Sequence, residues 1–148
     1  MKIIMAAPVD VPDWIAMRTA LWPHSRDRHA DDVARLLTTS PGECVNLIAR
    51  GSDGAALGFA EAGLRHDYVN GCKTTPVAFL EGIFVEPGAR GKGVARALIA
   101  AVEDWARSLS VAELASDAAP DNGPSLAMHN ALGFEETQRV VFFRKSLK

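Results

Sequence analysis

The residues able to do chemistry in this chain are concentrated between positions 79 and 117. Phe79-Leu80-Glu81-Gly82-Ile83-Phe84-Val85 is apolar and β-prone apart from one carboxylate, Glu81, and Pro87-Gly88 closes the run as a strand stop. Arg90-Gly91-Lys92-Gly93-Val94-Ala95 comes next, followed by Arg96. A glycine-rich turn that opens a helix aims several backbone N–H groups at one point, at the positive end of the helix dipole. Such a point holds a phosphate or a pyrophosphate. Glu81 and Asp117 are acids where a plain core would carry apolar residues, Asp117 closing a second apolar run at 111–115. A carboxylate so placed can take a proton from a reacting group, directly or through water. The bland alternatives are a solvated residue or an ion pair for Glu81, and a cap after the strand for Asp117.

These residues need a scaffold, and the hydrophobic pattern supplies one. A first strand is predicted over 2–7. Asp10-Val11-Pro12-Asp13 reads as a helix start, with Trp14, Met17, Ala20 and Leu21 as its apolar stripe and Trp22-Pro23-His24-Ser25 as its end. A second helix is predicted over 27–38, with Val33, Leu36 and Leu37 inward. Strands over 44–50 and 55–65 flank the hairpin turn Gly51-Ser52-Asp53-Gly54, with Gly58 and Gly63 as bulge points. After the central strand, Val94, Leu98, Ile99, Val102 and Trp105 recur at helical spacing, opposite Lys92, Arg96, Glu103 and Arg107. A strand over 111–115, a helix over 126–132 stopped by Gly133, and a last strand over 134–147 complete the order β-α-α-β-β-β-α-β-α-β. The class is α/β, one domain over 1–148, with a mixed, mostly antiparallel twisted sheet flanked by helices.

Composition narrows the function. Of 148 residues, 48% are hydrophobic, enough for one globular core. The net charge of −2 lacks the basic footprint of a nucleic-acid binder. The apolar runs fall short of a membrane span, and the N-terminus has no signal pattern, so a cytoplasmic protein is expected. Its two cysteines, Cys44 and Cys72, are then expected as reduced thiols. Cysteines and histidines are too scattered for a zinc site, and no metal is expected.

Three phosphate-binding turns compete for residues 90–96. A Walker loop needs Ser or Thr after Gly-Lys, and here Lys92 is followed by Gly93 and Val94. A dinucleotide fingerprint needs a third glycine where Arg96 stands. The third pattern, Arg/Gln-x-x-Gly-x-Gly/Ala between an apolar strand and an amphipathic helix, is matched at every fixed position. On this turn the chain resembles the GNAT N-acetyltransferase superfamily. It is similar, more narrowly, to the aminoglycoside 6′-N-acetyltransferases. That match rests on Leu21-Trp22-Pro23, on Arg65-His66-Asp67-Tyr68-Val69-Asn70-Gly71-Cys72, on the strand of Glu81, on Ala115-Ser116-Asp117, and on His129-Asn130-Ala131-Leu132-Gly133-Phe134-Glu135-Glu136-Thr137.

The resemblance implies acetyl-CoA as donor and the 6′-amine of an aminoglycoside as acceptor. It implies that Ile83, Phe84 and Val85 run beside the pantetheine arm, and that Arg90, Gly91, Lys92, Gly93, Val94, Ala95 and Arg96 hold the pyrophosphate. A backbone N–H near Val85 would polarise the thioester if the strand bulges, which Gly82 makes cheap. Asn122 matches a CoA-contacting position, with a helix cap as its other role. Asp117 and Glu81 become the candidate bases, not separable from sequence. Many relatives place a Tyr where this chain has His129, which can donate a proton near neutral pH or simply pack. An aromatic and acidic pocket suits a polycationic sugar. Trp22, His24 and Tyr68 are its candidates beside the two acids. Gln138 stands where close relatives often carry an acid, so one charge is missing. The resemblance also implies a homodimer, formed through the apolar last strand. The rival readings are an acetyltransferase of another small amine or a peptide N-terminus, and an acyl-CoA-binding module without turnover.

Overall fold

The computed structural model describes residues 1–25 and 27–148. Strand β1 (Lys2–Met5) is followed by helix α1 (Val11–Leu21) and helix α2 (His29–Leu37). A hairpin of β2 (Cys44–Arg50) and β3 (Ala56–Arg65) leads to β4 (Val77–Val85). Helix α3 (Val94–Ser108) connects β4 to β5 (Leu114–Ser116), and helix α4 (Gly123–Ala131) comes last. The sheet has the order β1-β2-β3-β4-β5. All neighbours are antiparallel except β4 and β5, which run parallel because α3 carries the chain back over one face.

Alternation along the strands gives the sheet two apolar faces. Leu47, Ala60, Ala62 and Leu80 point to one side, where α3 packs Val94, Leu98, Ile99 and Val102. Ile48 and Phe59 point to the other, under Trp14 and Met17 of α1 and Val33 of α2. Full burial of side chains such as Leu98 and Ile48 contributes about 1.5–3 kcal/mol each before entropy is counted. Arg50 ties the start of α1 to the sheet through Asp10 and Asp13, each at 2.6 Å.

Four expectations are corrected. Gly63 is not a bulge point: it stays in register with Cys44 and Phe79. The β3–β4 register instead pairs Glu61 with Gly82 and Ala62 with Leu80, so the extra residue is Glu81 itself. Gly58 lies beside a second irregularity, at Ala49 and Arg50, and serves a close approach: a Cβ there would sit 2.5 Å from the Phe84 carbonyl oxygen. Next, the strand expected over 111–115 is shorter and later, Leu114–Ser116, and pairs only with Ala78, Phe79 and Leu80. Finally, residues 134–148 form no strand. Val141, Phe142, Phe143 and Leu147 are 77–92% exposed. A strand needs an edge to pair with, and the short β5 offers almost none. Helix α4 starts earlier than expected because Asn122 caps it, its Oδ1 accepting the Ser125 N–H at 3.2 Å.

Candidate active site

The central strand leads into the site as a fork. β4 and β5 separate after the Leu80–Ser116 pair, so residues 81–85 of β4 lack a strand on that side. The backbone polar groups on that edge are free to pair with an extended ligand. The fork opens toward the glycine-rich turn. Gly91 (φ +74°) and Gly93 (φ +84°) are left-handed, a conformation glycine adopts without strain. Among the described residues, the N–H groups of Gly91, Lys92, Gly93 and Val94 donate to no protein acceptor. A Cβ on either glycine would meet nothing within 4 Å, so the mouth of the cradle is open.

The side chains of the cradle do less than the sequence suggests. Arg90 donates through Nε to the Val85 carbonyl at 2.9 Å and lies 5.8 Å over the Phe84 ring, bracing turn against strand. Arg96 reaches the Ala131 carbonyl at 3.4 Å and links α3 to α4. Val94 is core, and Ile83 and Val85 pack beside it on the α3 face. Phe84 points to the opposite face, against Phe59. Lys92 is exposed. Residues 90–96 therefore present the free backbone N–H groups together with the exposed side chains of Arg90, Lys92 and Arg96.

Two cavities adjoin the fork. The smaller, about 570 Å³, is lined by Trp22, Asp32, Glu43, Asn46, Glu61 and Glu81 among others. Its polar wall includes the Asn46 Oδ1, buried and without a hydrogen-bond partner among the described residues. The larger, about 1430 Å³, is lined by Tyr68, Ser116, Asp117, His129 and Gln138 together with Arg65. An ion pair stands between them. Arg65 reaches both oxygens of Glu81 at 2.9–3.1 Å while its guanidinium lies 3.5 Å over the Phe79 ring. The predicted site residues are thus gathered in two groups. His24 joins neither: it is exposed on the turn after α1. Asp117 directly follows β5 and has no hydrogen-bond or ion-pair partner among the described residues.

His129 sits at the base of the fork. Its Nδ1–H donates to the Ser125 carbonyl at 2.7 Å, and Nε2 is 2.8 Å from the Ser116 hydroxyl. Because a carbonyl can only accept, the neutral ring carries its proton on Nδ1 and accepts the Ser116 O–H at Nε2. Phe134 holds the ring edge-on at 5.0 Å. Ser116 is the residue that sequence reading missed. Its signal was its place beside Asp117 in the Ala115-Ser116-Asp117 block, but its bond to His129 spans two elements. Gly82 stands at the irregularity, next to Glu81, as expected, and has a second role: a Cβ there would fall 2.4 Å from the Trp22 ring, so this glycine also seats the indole. The cysteines take no part: burial raises both thiol pKa values, and the Glu113 carboxylate raises that of Cys72 further, which disfavours the nucleophilic thiolate.

Comparison with known proteins places this geometry. Residues 11–134 match the model of the acetyltransferase (GNAT) family. The chain is 50% identical over 133 residues to the aminoglycoside N(6′)-acetyltransferase type 1 of Salmonella typhimurium, covering 89% of this chain and 90% of that one. Its structure is similar to the apo aminoglycoside antibiotic 6′-N-acetyltransferase AAC(6′)-IG of Acinetobacter haemolyticus, with a TM-score of 0.93, 44% identity and all of both chains covered. It is also similar to AAC(6′)-Iy in complex with the bisubstrate analogue CoA-S-monomethyl-acetylneamine, with a TM-score of 0.91 and 46% identity over 98% of this chain and 97% of that one.

Proposed function

The chain belongs to the GNAT acetyltransferase family, and from that premise we propose that it is an aminoglycoside 6′-N-acetyltransferase. It moves the acetyl group of acetyl-CoA to the 6′-amine of an aminoglycoside and so confers antibiotic resistance. The observation that carries this is the fork between β4 and β5, which joins an anion cradle at Gly91 and Gly93 to two acid-lined cavities. The cradle suits the pyrophosphate of CoA, the free edge of β4 suits its amide-bearing arm, and the acidic walls suit a polycationic sugar. Residues 1–148 act as one catalytic domain.

The chemistry divides among named residues. The 6′-ammonium must lose a proton before it has a lone pair to attack with, and Asp117, which follows β5 and has no partner among the described residues, takes it. Glu81 anchors substrate cations, with Trp22 and Tyr68 as aromatic contacts. The strand distorted at Glu81 turns backbone N–H groups toward the thioester oxygen, a bulge farther up the strand than the expected one near Val85. As nitrogen bonds to the acetyl carbon and the C–S bond breaks, the departing thiolate takes the Ser116 hydroxyl proton. For this step the ring first takes a proton from solvent at Nε2, which reverses its bond to Ser116; Nε2–H then returns a proton to the Ser116 oxygen, while Nδ1–H stays on the Ser125 carbonyl. Gln138 leaves the wall of the larger cavity one charge short, with Glu135 and Glu136 still beside it, which favours acceptors with one ammonium fewer in that region.

The reading includes a cytoplasmic homodimer. Among the described residues, no helix is long and apolar enough to cross a membrane. Phe142 and Phe143, 90% and 92% exposed, form with their neighbours an apolar arm of the kind that a second copy of the chain covers. Sedimentation should show a dimer, and Phe142→Asp with Phe143→Asp should shift it to monomer. A monomeric wild type at assay concentration would refute the dimer.

The activity is tested by thiol release from acetyl-CoA. Kanamycin, with a 6′-amine, should be acetylated, and paromomycin, with a 6′-hydroxyl, should react at less than about a tenth of that rate, because a site arranged around an amine rejects the analogue without it. Equal rates would overturn the 6′ assignment. Tight CoA binding without turnover on either drug would favour the non-catalytic module.

A further inference from the structure

Beneath Trp22 lies a buried polar cluster that the reaction does not use directly. Arg18 and Glu61 each expose only 7% of their side chains, and His29 is fully buried. The guanidinium is engaged at every nitrogen. Nη1 reaches both Glu61 oxygens at 2.5 Å, Nε donates to His29 Nδ1 at 3.2 Å, and Nη2 donates to Asp32 at 3.1 Å. The Trp14 indole N–H donates to Glu61 at 2.9 Å. With Nδ1 occupied as an acceptor, His29 carries its proton on Nε2 and donates it to the Trp22 carbonyl at 3.1 Å. The cluster also touches the Trp22 ring: Arg18 lies 4.9 Å over it, and the His29 ring is stacked at 6.4 Å.

Stability alone does not call for this arrangement. A buried ion pair is replaced by apolar side chains of similar volume with little or no loss, because desolvation cancels much of its attraction. A fully committed guanidinium does, however, fix orientation. Here two members of the cluster, Arg18 and His29, also lie against the Trp22 ring, and His29 holds its backbone carbonyl. The Trp22 indole fills the space left by the missing Cβ of Gly82, directly after Glu81, and Glu61 pairs with Gly82 in the sheet register. The cluster, the indole and the bulged carboxylate are therefore one contiguous unit, and Trp22 and Glu81 line the same cavity.

We infer that Arg18, Glu61 and His29 are positioning residues that lock the Trp22 indole against Gly82, and so set the affinity of the acceptor pocket for an aminoglycoside ring without acting on the donor. This rests on the reading of Trp22 as a wall of the acceptor site.

The test is a double-mutant cycle on kanamycin acetylation. His29→Asn keeps an acceptor for Arg18 but loses the donor to the Trp22 carbonyl. It should raise KM for kanamycin about tenfold, the worth of one buried hydrogen bond, while KM for acetyl-CoA holds. His29→Gln, whose amide reaches the Nε2 position, should recover most of that loss. In a Trp22→Ala background, which itself has a raised kanamycin KM, His29→Asn should add less than about twofold, because residues that act through one another are not additive. Arg18→Lys retains the charge facing Glu61 but loses the Nε bond and the planar face over the indole. It should reproduce the KM shift, and it serves where His29→Asn does not fold by circular dichroism. Additive effects in the cycle, or equal rises in both Michaelis constants, would overturn the positioning role while leaving Trp22 in the site. A Trp22→Ala enzyme with wild-type kanamycin KM would overturn both that reading and the inference. Wild type inactive on every aminoglycoside would instead count against the proposed function.

Discussion

Asp117→Asn should lower kcat for kanamycin by about a hundredfold or more, the usual loss when a positioned general base is removed. Glu81→Gln should act differently, raising kanamycin KM by about tenfold with a smaller fall in kcat, as expected when a charge-assisted contact to a cation is lost. The structure distinguishes two acids that look equivalent in sequence. Glu81 has both oxygens on the Arg65 guanidinium, and a proton moved to it would break that pair. Asp117 has no such partner among the described residues and lines the larger cavity beside Ser116 and His129. Neither change should disturb folding, since exposed positions without structural partners shift stability by no more than about 0.5 kcal/mol, and even the half-exposed Arg65–Glu81 pair is worth about 0–1 kcal/mol. Steady-state kinetics across pH, with thermal melts as control, separates the roles. Wild-type kcat in Asp117→Asn would remove that residue as the base, and an equal kcat loss in both variants would make the acids a joint device.

Gly93→Asp should raise KM for acetyl-CoA about a hundredfold, against about tenfold or less for Gly93→Asn. The two side chains have nearly the same shape, and both tolerate the left-handed backbone better than other residues, so the backbone cost of φ +84° is shared. Neither meets a protein atom at the Cβ. Only Asp adds a negative charge at the N-terminus of α3, where the proposed pyrophosphate site relies on N–H groups and the dipole. The gap between the variants should narrow as ionic strength rises, because screening weakens the repulsion. If the two gave the same acetyl-CoA KM at low salt, the cradle would not hold the pyrophosphate. Lys92 and Arg96 bear on the same question. Arg96 donates to the neutral Ala131 carbonyl and keeps its charge, so it and the exposed Lys92 add to the positive potential of the backbone N–H groups.

Much of the scaffold was readable because it depends on local pattern. Trp14 and Met17, and then Val94, Leu98, Ile99 and Val102, repeat at helical spacing and are the buried faces of α1 and α3. Gly51-Ser52-Asp53-Gly54 turns the β2–β3 hairpin, closed by the Gly51 N–H on the Ala55 carbonyl. The left-handed backbone of the glycine-rich turn was readable too, since it follows from Gly91 and Gly93. The illegible parts are contacts between distant segments. The displacement of the bulge to Glu81 depends on β3 facing β4, and the missing last strand depends on there being no long edge within one chain. Locally, Asn122 takes the helix-cap role that the sequence offered beside the donor contact, and Arg90 braces the turn on the Val85 carbonyl. Which of several available partners a polar side chain takes is not a property of its neighbours in sequence.

Taken by itself, the sequence determined the α/β class, the order of elements up to α4, the anion cradle and the two acids, because each rests on periodicity, turn chemistry or a residue type out of place. Tertiary structure alone decided that β4 and β5 diverge after Leu80 and Ser116, that Arg65 holds Glu81 while Asp117 has no partner among the described residues, that Ser116 meets His129, and that a buried Arg18–Glu61–His29 cluster lies beside Trp22, whose indole packs on Gly82. These facts depend on close approach between residues far apart in the chain. Such approach is set by how the two faces of the sheet pack against α1, α2 and α3, and no local pattern encodes it.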